Sequence, residues 1–116
     1  MSNKFTIIFL IVLSINLYAT RLLAPISQKT FTINLISNQS AGYSWNLIYY
    51  DPKKITYIEP INKRTNNLIG SNSMITWTFT IKDNVNPGEN TTIKFVQKRP
   101  WENKENKTYI ARIFFI

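Results

Sequence analysis

The residues of this chain best placed to act on a partner are Arg99-Pro100-Trp101, which follow a strand-like run from Thr91 to Gln97. Trp and Arg are the residue types that most often dominate interface energetics. Pro100 fixes φ and lowers the cost of ordering the loop that carries them. The competing reading of the same three residues is a Trp folded back over the edge of its own domain. Chemistry of the catalytic kind has little to work with. The chain contains neither His nor Cys, which removes the usual general base, thiol nucleophile and transition-metal ligands. The carboxylates Asp51, Glu59, Asp83, Glu89, Glu102 and Glu105 fall mostly at turns and strand ends, with no acid and base pair for glycoside chemistry. No phosphate loop or dinucleotide fingerprint is present. The expectation is a binding module without catalytic residues, metal or cofactor, and not an enzyme.

The elements that must hold such a loop read as strands. Phe31, Ile33 and Leu35 alternate with polar residues, as do Tyr43, Trp45, Leu47 and Tyr49. Ile75, Trp77, Phe79 and Ile81 against Thr76, Thr78, Thr80 and Lys82 form the cleanest two-residue period. Ile93 and Phe95, then Tyr109, Ala111, Ile113 and Phe115, continue it. Period two with β-branched and aromatic filling marks half-buried strands. Asp51-Pro52 and Asn86-Pro87-Gly88 supply turns, and Ile55 to Ile58 reads as one more short strand. Short strands at this spacing predict a small antiparallel β-sandwich. Two connections are longer than hairpins, Ser37 to Gly42 and Glu59 to Ser73. Long loops on a compact β scaffold often carry function.

The N-terminal stretch reads differently. Lys4 precedes an apolar run from Phe5 to Leu13, and Ala19 offers a small residue at a cleavage point. The pattern is that of a secretory signal, so residues 1–19 are expected to be removed and residues 20–116 to form one domain; the competing readings of the segment are an uncleaved anchor and a buried strand. The mature chain is then secreted or periplasmic, and without Cys it must hold together by packing alone. The formal net charge is +8. The cations are scattered rather than clustered, which describes a solvated surface with a cationic bias.

Three stretches taken together carry a resemblance. They are Ser37-Asn38-Gln39-Ser40-Ala41-Gly42-Tyr43-Ser44-Trp45, then Leu68-Ile69-Gly70-Ser71-Asn72-Ser73-Met74, then Lys98-Arg99-Pro100-Trp101-Glu102. In this order and spacing the set resembles the chagasin family of cysteine-peptidase inhibitors, over about Thr30 to Ile116. That family has Asn-Pro-Thr-Thr-Gly-Tyr and a following Trp in its first loop, a Gly-rich second loop, and Arg-Pro-Trp in its third. Here Asn38, Gly42, Tyr43, Trp45, Gly70, Arg99, Pro100 and Trp101 match. Gln39 replaces Pro, Ser40 and Ala41 replace two Thr, and Ser71, Asn72 and Ser73 stand where more glycine is usual.

The resemblance implies an immunoglobulin-like sandwich acting as a single chain. Its three loops form a wedge that enters the active-site cleft of a papain-like cysteine peptidase, reversibly and without a covalent bond. The inhibitory residues would be Asn38, Gln39, Ser40, Ala41, Gly42 and Tyr43 in the first loop, and Ile69, Gly70, Ser71, Asn72 and Ser73 in the second. Arg99, Pro100 and Trp101 complete the set. Gly42 suits a sharp turn at positive φ, and Tyr43 and Trp45 are expected to start the core face of their strand. Arg99 either pairs with an acidic rim of a partner or braces its own loop. Losing Pro at Gln39 loosens the first loop and raises its ordering cost.

Two other function classes compete. An adhesin or carbohydrate-binding module would need Trp77 and Trp101 as stacking platforms, but strict alternation places Trp77 in the core. A nucleic-acid binder is opposed by the scattered charge and the export signal.

Overall fold

Alternating side chains decide where each strand of this protein buries its face. In the computed structural model, which describes residues 17–37, 41–64, 73–103 and 106–116, the strands are β1 (Leu17–Ala24), β2 (Thr30–Ser37), β3 (Ser44–Tyr49), β4 (Ile55–Arg64), β5 (Ser73–Ile81), β6 (Asn90–Lys98) and β7 (Lys107–Phe115). A single 3-10 turn, Ile26–Gln28, links the first two. Four strands form one sheet in the order β1-β7-β6-β3, and three form the other in the order β2-β5-β4. All pairs are antiparallel except β1 with β7, which is parallel. The predicted all-β sandwich is what the chain adopts.

β5 shows the mechanism. Ser73, Ile75, Trp77, Phe79 and Ile81 are buried, while Met74, Thr76, Thr78 and Thr80 face the solvent side. Ile33 and Leu35 of β2, Ile93 and Phe95 of β6, and Ala111, Ile113 and Phe115 of β7 complete the core from both sheets. Trp77 keeps 6% of its surface exposed, so no sugar ring can stack on it and the carbohydrate-binding reading loses one of its two platforms. Rings carry the contact between the sheets. Trp77 and Phe79 of one sheet lie 5.3 and 6.5 Å from Phe95 of the other, a spacing at which aromatic pairs add to simple burial.

The structure departs from the alternation in three places. β1 is a strand that no periodicity announces, because its sequence Leu-Tyr-Ala-Thr-Arg-Leu-Leu-Ala sets Thr20 and Arg21 among apolar residues without a clear alternation. It overlaps the expected cleavage region at Ala19. β4 does not stop at Ile58 but runs on to Arg64. Its pairing with β5 shifts register between Ile58 and Ile61, and Pro60 falls inside that irregularity on an edge strand, where a missing N–H is tolerated. The connection expected from Glu59 is therefore shorter and begins after Arg64. In β3 a register shift after Leu47 turns Tyr49 outward, leaving it 54% exposed. Tyr50 packs on the core instead.

The turn before β6 is held by charge. Glu89 accepts a hydrogen bond from the Asn86 N–H at 2.7 Å and pairs with Lys54 at 3.3 Å. These contacts, the Asn86 N–H first, hold its carboxyl below its ordinary value of 4.5.

Two outcomes follow from this core. Trp77→Ala should cost about 3–5 kcal/mol of stability. Trp77→Phe should cost far less, because the buried Nε1–H of Trp77 has no acceptor and its removal relieves an unpaired donor; denaturant titration of both variants decides. Glu89→Gln should lower the thermal midpoint at neutral pH. The depressed carboxyl lends stability above its ordinary value and loses it as pH falls, so the gap between variant and parent should close below about pH 4.5.

Candidate functional site

Register places all three connections of interest at one end of the sandwich. Ser73 of β5 is the register partner of Ser37 in β2 on one side and of Arg64 in β4 on the other. Ser44 pairs with Lys98, and Gln97 with Lys107, across β3, β6 and β7. The β2–β3, β4–β5 and β6–β7 connections therefore leave from the same edge of the two sheets. They are called here loops 1, 2 and 3.

The bases of loops 1 and 3 are fixed by specific bonds. The indole Nε1–H of Trp45 donates to the Ile36 carbonyl at 3.2 Å, which ties β3 to β2 across the sandwich just below loop 1. Tyr109 meets the Trp45 ring edge-on, 6.5 Å away. Gln97 is buried and is gripped twice by Asn106: its carbonyl accepts from the Asn106 N–H at 2.8 Å, and its side-chain oxygen from the Asn106 amide at 3.0 Å. Beneath loops 1 and 2 the hydroxyls of Ser37 and Ser73 are buried without partners.

Loops 1 and 3 meet through a glycine. Gly42 has φ of 88°, and a Cβ at this position would clash with Cη2 at the edge of the six-membered ring of Trp101. The missing side chain is thus required twice, by the backbone and by the indole seated against it. Trp101 remains 68% exposed: part of its ring rests on loop 1 and the rest faces outward. The bland reading of a Trp folded into its own edge is met only in that limited contact.

Arg99 sits between structural partners. Its guanidinium carbon lies 4.3 Å from the centroid of the Tyr43 ring and 5.8 Å from that of Trp101. One of its nitrogens pairs with Glu102 at 3.3 Å, and the Glu102 N–H closes a turn on the Arg99 carbonyl at 3.1 Å. Of the two sequence readings of Arg99, the structure fulfils the brace. Cation–π contacts of this kind contribute about 0.5–1 kcal/mol each near the surface. Tyr43 is half-buried ahead of β3 and serves as the platform for Arg99, while Trp45 is buried in the core.

The sequence-predicted site is brought together in part. Ala41, Gly42, Tyr43, Arg99, Pro100 and Trp101 gather at the loop end. Asn38, Gln39 and Ser40 of loop 1, and Ile69, Gly70, Ser71 and Asn72 of loop 2, lie outside the described residues. Ser73 is the first residue of β5 and fully buried, so the strand rather than the loop claims it and its side chain reaches no partner. Sequence reading missed Glu102, Gln97 and Asn106. Only Glu102 left a signal, an acid three residues after Arg99 across a Pro-containing turn.

Comparison with known proteins gives this arrangement a family. The profile of the chagasin family of peptidase inhibitors, I42, matches residues 26–113. The chain belongs to the chagasin family. The family is one of peptidase inhibitors, not enzymes. Among solved structures, the chain is similar to the cysteine protease inhibitor EhICP2 from Entamoeba histolytica, with a TM-score of 0.60 and 20% identity. That alignment covers 89% of this chain and all of the other. It is also similar to amebosin, with a TM-score of 0.54 and 18% identity over 86% of this chain and 96% of that one. At these identities the likeness is one of fold. A search of curated proteins finds no match.

In this chagasin-family chain the Gly42–Trp101 contact predicts a specific coupling. Gly42→Ala strains a positive-φ residue at roughly 1–3 kcal/mol and drives a methyl into the indole. It should weaken peptidase inhibition by roughly tenfold or more. In a Trp101→Ala background the same change should do much less, because half of its penalty is gone; a double-mutant cycle on the inhibition constant measures the difference.

Proposed function

We propose that this protein is a reversible, non-covalent inhibitor of papain-like cysteine peptidases. It acts as a single chain that inserts loops 1, 2 and 3 into the active-site cleft. The observation that carries the reading is the exposed Trp101 ring against Gly42, at the end of the sandwich from which the three loops leave. An aromatic anchor already held in place loses little entropy on binding. Loop 1 would approach the catalytic centre with Ala41 and Gly42, whose small size leaves room beside a thiolate and little for the peptidase to hold as substrate. Loops 2 and 3 would lie on either side. The chain offers no thiol or imidazole with which to form an adduct, so inhibition should be reversed by dilution.

The apolar N-terminal segment supports export, with removal near Ala19 and a secreted or periplasmic mature protein. Such a cut falls within β1 and leaves Thr20 to Ala24 to pair with β7.

Titration of papain tests the proposal. Inhibition should be complete, should recover on dilution, and should leave the inhibitor uncut. Trp101→Ala should weaken it by at least about thirtyfold with little change in thermal midpoint. A panel in which only serine peptidases respond would sink the assignment. Mass spectrometry of exported protein should find the chain starting near Thr20.

A further inference from the structure

The outer face of the four-stranded sheet has a composition that peptidase binding at the loop end does not use. Its outward positions carry Arg21, Lys94, Lys98 and Arg112, and its strands hold neither Asp nor Glu. Arg21 of β1 and Arg112 of β7 are register partners, and both are exposed. Like charges directly across a strand pair repel. The ion pairs among the described residues, Lys54–Glu89 and Arg99–Glu102, leave both arginines out. A cleft opens beside the pair, lined by Ala19, Thr20, Arg21 and Arg112. One step further from the loops, Leu23 is the register partner of Phe114 on the same outer face, and Leu23 is 68% exposed.

We propose that this Arg21–Arg112–Leu23 surface docks on an anionic membrane. A lipid phosphate sits in the cleft between the guanidinium groups, which suit a tetrahedral oxyanion through paired N–H donors. Leu23 and Phe114 reach the boundary between headgroups and acyl chains. A soluble polyanion would be served by the cations alone and has no use for an apolar side chain standing beside them. The docked orientation leaves the inhibitory end free. β7 runs from Lys107 at that end, and Arg112 lies roughly 16 Å further along at about 3.3 Å per residue.

The test uses the exported protein, which on the proposed cleavage starts near Thr20 and keeps Arg21, Leu23 and Arg112, with phosphatidylcholine vesicles with and without phosphatidylserine. Cosedimentation should occur with the anionic vesicles only and should fall as salt rises. Each arginine near a charged bilayer contributes about fivefold in partitioning, so Arg21→Gln/Arg112→Gln should lose about 25-fold. Leu23→Ser should lose at least about fivefold. Papain inhibition by both variants in solution should match the parent, which also shows that they fold. Equal binding to neutral vesicles, or no binding to anionic ones, overturns the proposal. So does loss of vesicle binding in the arginine variant with none in Leu23→Ser, together with arginine-dependent binding to heparin. That pattern assigns the face to a soluble polyanion.

Discussion

Aromatic rings packed tilted and edge-on across the gap between the two sheets are the constraint on which everything else rests. Phe95 meets Trp77 and Phe79 from the opposite sheet, and Tyr109 at 6.1 Å from its own. Tyr109 hands the contact on to Trp45, whose indole is bonded back to β2. A chain without Cys has no covalent staple, so the spacing of the sheets at the loop end is set by ring against ring. The bases of loops 1 and 3 inherit that rigidity directly. Trp45 stands two residues after Tyr43, and Tyr109 lies in the strand that follows loop 3.

Above that base, loops 1 and 3 behave as one unit rather than two. Tyr43 carries Arg99, Arg99 reaches Trp101 and Glu102, and Trp101 closes the circuit on Gly42. This matters for a first loop that has Gln39 where the family pattern it resembles would place Pro. A prolyl ring restricts a loop from within its own backbone. Here restraint comes from outside, through an indole from another loop pressing on a bare α-carbon. At Gly42 that contact joins segments far apart in sequence. Arg99 is held in this circuit by Glu102 and by the Tyr43 ring.

How much of this could be read from residues alone depends on the kind of signal. β2, β5, β6 and β7 announced themselves because one face is buried and the other wet, which prints a period of two. The same logic placed Trp77 in the core and left Trp101 outside it. β1 escaped because an apolar edge strand and an export segment look alike in composition, and its partner strand is distant in sequence. β4 was cut short at Ile58, since a bulge on an edge strand leaves no mark distinct from a turn. The three loops could be located from motifs, but the seating of Trp101 on Gly42 could not. Nothing local to either residue encodes which ring will fill the space of an absent Cβ.

The parallel pairing of β1 with β7 has a practical side. Because the two strands run the same way, Leu17 is level with Thr108, beside loop 3, whereas Ile116 is bonded to Ala24 and Ile26 at the opposite end. A fusion partner or affinity handle joined ahead of Leu17 would emerge next to the face that must enter a narrow cleft. The same handle joined after Ile116 would emerge a full strand length away. For immobilising this domain on a sensor or a display scaffold, geometry favours attachment behind Ile116.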